Sequence, residues 1–138
     1  ASAAWSGGLK TGIGTISTQS GVLSKTQYGF KTRFEEGPGT NPEELIGAAH
    51  AGCFSMALAA QLEQEGMTAN RIQTSATVTL EKLEGGFSIT AIHLGLVANI
   101  PGASQEALER VANIAKLGCP VSKVLNATIT LSTKLESY

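Results

Sequence analysis

The sequence predicts an α+β fold in which antiparallel sheets pack around one long, buried, central helix. Residues 45–62 are apolar or small on every side of a helix and carry almost no charge. Residues 71–82 alternate apolar and polar side chains with a period of two, and residues 104–117 repeat apolar side chains with the helical period. With no visible linker or repeat, we expect one domain over residues 1–138.

The first 39 residues predict an antiparallel meander of three strands. Short apolar and β-branched runs lie at residues 3–5, 13–17 and 28–34, and glycine-containing turns separate them. In the third run the aromatic side chains would share one face of a strand. We therefore expect Arg33 on the opposite face of that strand.

The long helix is expected to begin near Pro42 and to stop at Gly66. Two starts overlap at its beginning. Thr40 with Glu43 fits a capping box, and Asn41 fits an N-cap followed by proline at the first helical position. In either case the local sequence predicts a well-defined helix start.

Small side chains line one row of this helix at a spacing of four: Gly47, Ala51, Ser55 and Ala59. The row leaves a groove in which another backbone can lie close. One chain of this length offers too little surface to cover a helix that is apolar all round, so we expect a second copy to pack there. The apolar run falls short of a membrane span, and we expect no membrane contact.

The second half of the chain predicts a hairpin, two helices and a last strand. Residues 87–100 are apolar on both faces, which favours a central strand. The short helix begins at Cys119-Pro120 and ends near Leu125, and residues 127–135 alternate as a strand. In the helix over residues 104–117 we expect these side chains to face the core: Leu108, Val111, Ala112, Ile114 and Ala115.

The composition excludes several classes of function. Charged residues make up 15% of the chain and the net charge is −1, so a phosphate-neutralising surface for nucleic acid is not expected. Two cysteines are too few for a disulfide scaffold and favour the reducing cytoplasm. No basic segment followed by an apolar one opens the sequence, so we expect no secretion signal.

The candidate functional residues centre on two cysteines. Cys53 lies mid-helix, with His50 one turn earlier, and Cys119 precedes Pro120 at an N-cap, where helix amides favour a thiolate. The residues alone leave open a redox pair, two inert buried thiols in a structural or binding protein, and a zinc site that adds His93. Zinc is disfavoured because its ligands usually come in closely spaced pairs, and only His50 and Cys53 form one.

The run TRFEEGPGTNPEELIGAAHAGCFSMAL, together with GCPVSKVL, resembles the family of osmotically inducible protein C and the organic hydroperoxide resistance proteins (OsmC/Ohr). The resemblance covers nearly the whole chain and is closer to the OsmC branch. It implies an intertwined homodimer with sites at its interface. It also implies a thiol-dependent peroxidase that reduces organic hydroperoxides, and hydrogen peroxide more weakly, in oxidative and osmotic stress defence.

The resemblance also assigns the site. In this family the helix cysteine, here Cys53, is the peroxidatic nucleophile, and the Cys-Pro cysteine, here Cys119, resolves its sulfenic acid. An arginine activates the thiolate and maps to Arg33, since no arginine precedes it in this chain. The glutamate that pairs with this arginine is Glu43, whose plainer role would be the capping box. The family needs no metal or other cofactor, and an external dithiol, lipoyl-type in the Ohr branch, reduces the disulfide.

A shared site follows from helix geometry. Glu43 and Cys53 are ten residues apart on one helix, which separates them by roughly 15 Å along the axis. An arginine held by Glu43 would therefore reach the sulfur of another chain more readily than that of its own. We expect an obligate dimer whose sites combine residues of both chains.

Overall fold

The computed structural model describes residues 1–137. Its elements in chain order are β1 (Ser2–Ser6), β2 (Ile13–Ser17), β3 (Thr26–Tyr28), α1 (Phe30–Phe34), α2 (Pro42–Gln64), β4 (Arg71–Leu83), β5 (Gly86–Asn99), α3 (Gln105–Gly118), α4 (Pro120–Val124) and β6 (Thr128–Leu135). This mixture of helices and sheets confirms the α+β class. The chain divides into two compact units, one over residues 1–45 and the other from residue 46 onward.

The first unit contains the expected meander. β2 pairs antiparallel with β1 on one side and with β3 on the other. Gly7 and Gly21, in the two connections, adopt φ values of +92° and +78°, which L side chains rarely adopt. Trp5 and Tyr28 pack across the sheet with their ring centroids 5.5 Å apart. Gly14 lies between them, where an added Cβ would meet the Tyr28 ring at 2.4 Å.

The third strand is shorter than expected, because residues 30–34 form a helix. The prediction that Arg33 lies on a strand is therefore wrong, and Arg33 lies on α1. Phe30 and Phe34 are four residues apart, a spacing that puts two side chains on one face of a strand and also on one face of a helix. In the helix their ring centroids are 4.9 Å apart.

Hydrogen bonds of Thr32 favour the helix over the strand. Its hydroxyl accepts from the Gly29 N–H and donates to the Gly29 carbonyl, both at 2.9 Å, which forms a tight turn. The side chain of Asn41 then donates to the Thr32 carbonyl at 2.7 Å. Because Asn41 is nine residues away, hydrophobic periodicity carries no sign of this bond.

The start of α2 uses Asn41 as its cap. The Asn41 Oδ1 accepts from the Glu44 N–H at 2.7 Å, and the Thr40 hydroxyl donates to the Glu44 carboxylate at 2.7 Å. The capping box of Thr40 with Glu43 is therefore wrong, and the Glu43 carboxylate is available for other partners. At the other end, Gly66 has φ +74°, as expected for a helix stop.

The sheet of the second unit is mixed. β4 and β5 form the expected antiparallel hairpin, and β5 is the central strand as expected. β6, however, pairs parallel to β5, so the expectation of purely antiparallel sheets is wrong. The reason is the connection, since α3 and α4 carry the chain back to the end of the sheet where β5 began.

The core of the second unit lies between α2, α3 and the sheet. Its largest fully buried apolar side chains are Phe54, Leu58, Leu62, Ile92, Leu94, Leu96, Leu108 and Val111. The inward face of α3 agrees with the expectation, except that Ile114 is 43% exposed. Ile114 follows Val111 by three residues, but the core side of α3 continues instead through Ala112 and Ala115.

The row of small residues on α2 packs against a strand of its own unit. An added Cβ on Gly47 would lie 3.4 Å from the Ala76 carbonyl of β4, and the Ser55 hydroxyl bonds the Thr74 hydroxyl at 2.8 Å. The expectation that a second copy fills this groove is therefore wrong. Another stripe of α2 is exposed in the single chain, formed by Ala48, Gly52, Met56 and Ala60.

α2 is long enough and apolar enough, by its length and mean hydropathy, to cross a bilayer. This differs from the expectation that its apolar run is too short. Core helices of soluble proteins pass the same test. Phe54, Leu58 and Leu62 of this helix are fully buried in the core described above. That packing fits a core helix.

Candidate active site

The two cysteines lie together in the second unit. Cys53 is half-buried near the middle of α2, and Cys119 is completely buried at the junction where α3 ends and α4 begins. Both are free thiols, and they share a hydrogen bond. The backbone N–H of Cys119 donates to the Ala115 carbonyl at 2.9 Å, which holds the junction in place. The fold thus brings together two sulfurs that are 66 residues apart in the sequence.

The surroundings make the two thiols unequal acids. The hydrogen bond with Cys119 raises the pKa of Cys53, and burial adds to that effect. Burial also raises the pKa of Cys119, but the Cys53 thiol and the amides and hydroxyl of α4 outweigh it, so the pKa of Cys119 lies below its ordinary value. The Cys119 side chain forms no regular N-cap bond, so α4 contributes less than a full cap would. Within this unit Cys119 is therefore the more acidic thiol.

His50 and Ser122 form a second polar pair beside the cysteines. The His50 Nε2 and the Ser122 Oγ are 2.7 Å apart, and the Ser122 hydroxyl also hydrogen-bonds Cys119. Burial lowers the pKa of His50, so this imidazole is neutral at pH 7. Ser122 is not among the residues that the sequence pointed to. The only feature of the sequence that could indicate Ser122 is its position in α4, three residues after Cys119.

Arg33 and Glu43 form an ion pair in the first unit. The Arg33 Nε and Nη2 both donate to the Glu43 Oε1, at 3.1 and 2.7 Å, and Nε also approaches Oε2 at 3.3 Å. The Glu43 side chain is 11% exposed and that of Arg33 is 36% exposed. Among residues 1–137 the Arg33 Nη1 makes no hydrogen bond. One edge of the guanidinium is thus held by Glu43, and the other can donate to a ligand.

Arg33 also borders an apolar cavity of about 150 Å³ in the first unit. Most of its wall is aromatic or aliphatic: Trp5, Leu9, Tyr28, Phe30, Phe34 and Pro42. A cavity with one cationic group among apolar walls suits a ligand that has both a polar and an apolar end.

The four candidate zinc ligands, which are His50, Cys53, His93 and Cys119, are not arranged as a metal site. His93 hydrogen-bonds the hydroxyls of Thr130 and Ser132 on β6, at 2.6 and 3.1 Å. In the described part of the chain, no group of three or more His, Cys, Asp or Glu side chains is arranged to hold a metal ion.

Comparison with known proteins gives three consistent results. The family model described as OsmC-like protein matches residues 35–134. The chain is 53% identical to the peroxiredoxin OsmC of Escherichia coli K12 over 133 residues, which span 96% of this chain and 93% of that protein. It is 27% identical to the organic hydroperoxide resistance protein OhrB of Bacillus subtilis over 124 residues, 89% of each chain.

The fold has a solved counterpart. The structure of an organic hydroperoxide resistance protein OsmC from Legionella pneumophila superposes with a TM-score of 0.71 at 28% identity, covering 96% of this chain and 94% of that one.

Proposed function

Since this chain belongs to the OsmC-like family, we propose that it reduces organic hydroperoxides with Cys53 as the nucleophile and Cys119 as the resolving thiol. The chain is a cysteine-based peroxidase of the OsmC branch, as its higher identity to the E. coli peroxiredoxin OsmC than to OhrB indicates. The observation that carries the assignment of residues is the contact between the two thiols. Two sulfurs that already share a hydrogen bond can form a disulfide with little movement.

The chemical steps conserve atoms and electrons. The Cys53 thiolate attacks the terminal oxygen of the hydroperoxide, a sulfur–oxygen bond forms, the oxygen–oxygen bond breaks, and the alkoxide leaves as an alcohol after it takes a proton. Sulfur is oxidised to the sulfenic acid while the peroxide is reduced. Cys119 then attacks the sulfenic sulfur, the disulfide forms, and the hydroxyl group leaves as water.

The assignment of Cys53 as the nucleophile requires a cation from outside the cysteine cluster. The nearby His50 is neutral, and the hydrogen bond with Cys119 raises the pKa of Cys53. We propose that Arg33 supplies the charge and moves the shared proton toward Cys119. A guanidinium beside a thiol lowers its pKa by about 1–3 units, as it does for carboxyl groups.

Glu43 acts as the positioning residue for Arg33. Its carboxylate occupies Nε and Nη2 and leaves Nη1 to donate, as described above. The pair would hold the guanidinium in one orientation while it stabilises both the thiolate and the departing alkoxide.

The substrate class is an organic hydroperoxide. The cavity beside Arg33 has apolar walls, which favour a hydrocarbon tail over the small and fully polar hydrogen peroxide. Burial of each methylene group adds about 0.8 kcal/mol to binding. We therefore propose that the catalytic efficiency rises with the length of the alkyl group until the cavity is full.

The remaining parts of the proposal follow the family. An external dithiol of the lipoyl type reduces the Cys53–Cys119 disulfide, and no bound cofactor takes part. The enzyme works as a homodimer in the cytoplasm, where glutathione and thioredoxin keep thiols reduced. It has no nucleic acid or membrane partner.

The decisive experiment is a titration of thiols. One equivalent of cumene hydroperoxide added to the reduced enzyme should remove both free thiols and release one equivalent of cumyl alcohol. The same titration with hydrogen peroxide should be slower. A protein that keeps both thiols and leaves the hydroperoxide intact would refute the peroxidase cycle and favour inert, structural cysteines.

A further inference from the structure

The peroxidase cycle leaves His50 without a role. This histidine is 0% exposed in the middle of α2, and its Nε2 is bonded to Ser122 of α4, 72 residues away. Its Nδ1 has no hydrogen-bond partner. Among the described residues it is the one buried side-chain nitrogen or oxygen that lacks such a partner. An unpartnered buried atom costs stability, so its retention calls for an explanation.

The direction of the hydrogen bonds around Ser122 follows from its single proton. When Cys119 is a thiolate, the Ser122 hydroxyl donates to the sulfur. Its oxygen must then accept from His50, which places the imidazole proton on Nε2. The unpartnered Nδ1 is then a bare acceptor. When Cys119 is a thiol that donates to Ser122, the hydroxyl proton turns to Nε2 and the neutral imidazole must carry a proton on Nδ1.

The two arrangements differ in what they leave buried. The thiol form buries an unpaired N–H donor at Nδ1, whereas the thiolate form buries only a lone pair. Orphaned buried N–H groups are the rarer of the two in proteins. The local packing of His50 therefore favours the thiolate form of Cys119.

We propose that Ser122 and His50 form a proton relay that deprotonates Cys119 for its attack on the oxidised Cys53. Ser122, which touches the reacting sulfur, is a catalytic residue for disulfide formation, and His50 is the positioning residue that acts through it. The inference rests on the proposed function for its place in the cycle. The contacts of Cys119 from which the relay is inferred are present without any peroxide.

The relay is needed at one step only. In the first step Cys119 holds the proton that Cys53 gives up, so Cys119 begins the second step as a thiol. Its proton passes to the Ser122 oxygen, and the Ser122 proton passes to Nε2. Burial lowers the pKa of His50, so the imidazole gives up its Nδ1 proton and is neutral again, with only a lone pair at Nδ1. As the disulfide forms and the sulfur–oxygen bond of Cys53 breaks, the departing hydroxide takes up this one proton and becomes water.

A pH titration of Cys119 tests the relay without peroxide. In Cys53→Ala chains Cys119 is the only thiol, so the rate of its alkylation measured against pH reports its thiolate fraction. Adding Ser122→Ala should move this profile about one pH unit higher, because a hydrogen bond to a charged group is lost. His50→Gln should produce a smaller shift in the same direction, and Ser122→Thr should restore the original profile.

Single-turnover kinetics then place the effect in the cycle. With Cys53 present, Ser122→Ala should form the sulfenic acid at the original rate but close the disulfide about tenfold more slowly. Trapping by dimedone and overoxidation to sulfinic acid should increase accordingly. Ser55→Ala is the matched control, because it removes another hydroxyl pair that joins α2 to a neighbouring element but does not involve Cys119.

The possible outcomes separate the two proposals. Unchanged alkylation profiles in Ser122→Ala and His50→Gln overturn the relay, whatever the peroxidase activity. Equal slowing of sulfenic acid formation and disulfide closure, or the same effect in Ser55→Ala, also overturns it, because the role would then be structural. A shifted profile in a protein whose Cys53 never forms a sulfenic acid would support the relay and reject the peroxidase cycle.

Discussion

At the residue scale, the identity of the nucleophile depends on which sulfur loses its proton. Cys53 and Cys119 share one hydrogen bond, and the second unit by itself makes Cys119 the stronger acid. Under the proposed function, the choice of Cys53 as nucleophile therefore requires Arg33, whose guanidinium is held by Glu43. Two predictions separate these contributions.

The first prediction concerns the cysteines one at a time. Cys53→Ser should consume no organic hydroperoxide. Cys119→Ser should consume one equivalent and stop at a sulfenic acid that dimedone traps. The wild-type chain should instead lose its two thiol hydrogens to an intramolecular disulfide, which mass spectrometry detects. Hydroperoxide consumption by Cys53→Ser at the wild-type rate would make Cys119, the more acidic thiol, the nucleophile.

The second prediction concerns Arg33. Arg33→Ala should keep the fold, since an ion pair with a partly exposed arginine contributes about 1 kcal/mol or less to stability. The pKa of Cys53 should rise by about 1–3 units, measured by the pH dependence of alkylation in Cys119→Ser chains. Arg33→Lys should restore little, because a lysine cannot bond Glu43 along one edge and a ligand along the other.

Arg110→Ala is the control for Arg33→Ala. Arg110 forms a more exposed ion pair with Glu65 at the surface, so its loss should leave the alkylation profile unchanged. An unchanged profile in Arg33→Ala as well would remove Arg33 from the site.

At the scale of elements, Asn41 links the start of α2 to α1. Its carbonyl oxygen caps α2, and its amide group donates to the Thr32 carbonyl of α1, the helix that carries Arg33. One side chain thus stabilises a helix and fixes the neighbouring segment. The two functions can be separated by substitution.

The third prediction uses that separation. Asn41→Ala should lower the free energy of unfolding by about 1–2 kcal/mol, as loss of a cap does. Asn41→Asp keeps an oxygen for the cap but loses the N–H donor, so most of this stability should remain while peroxidase activity falls with the displaced Arg33. Urea titration and initial rates measure the two effects. Equal losses of stability in both variants would show that the cap does not matter.

At the scale of the whole molecule, an apolar stripe of α2 lacks cover in the single chain. Met56 is 77% exposed in this stripe, which lies away from the groove filled by β4. Apolar surface of this kind on a long helix is typical of an interface. We expect the dimer to bury this stripe.

The fourth prediction is that a charge at position 56 breaks the dimer. Met56→Lys should shift sedimentation toward the monomer and lower activity, because a lysine buried at an interface without a partner is costly. Val22→Lys places the same charge at a site that is 85% exposed and outside α2, and it should remain dimeric. Dimeric, fully active Met56→Lys would exclude the stripe from the interface.

The fifth prediction is that the active site combines two chains. Cys53→Ser and Glu43→Ala chains should each be inactive. Mixed, unfolded and refolded together, they should regain part of the activity in heterodimers that hold one intact site. Each inactive chain refolded alone is the control. If the mixed chains form dimers but recover no activity, the interface is retained and the shared site is excluded.

The sequence by itself determined most of the elements, because hydrophobic periodicity and turn residues are local. The limits of α2, the β4–β5 hairpin and the central position of β5 all follow from side chains a few residues apart. The residues alone singled out the two cysteines but left a redox pair, inert thiols and a zinc site open. The family resemblance gave the cysteines their roles and added the Arg33–Glu43 pair.

The tertiary structure decided what depends on distant partners. Phe30 and Phe34 fit a strand and a helix equally well, and the Asn41 bond to Thr32 favours the helix. The parallel pairing of β6 depends on where two helices return the chain. The bond between His50 and Ser122 joins residues 72 positions apart. Periodicity reports which face of an element is buried, but it does not report which atoms from another element meet that face.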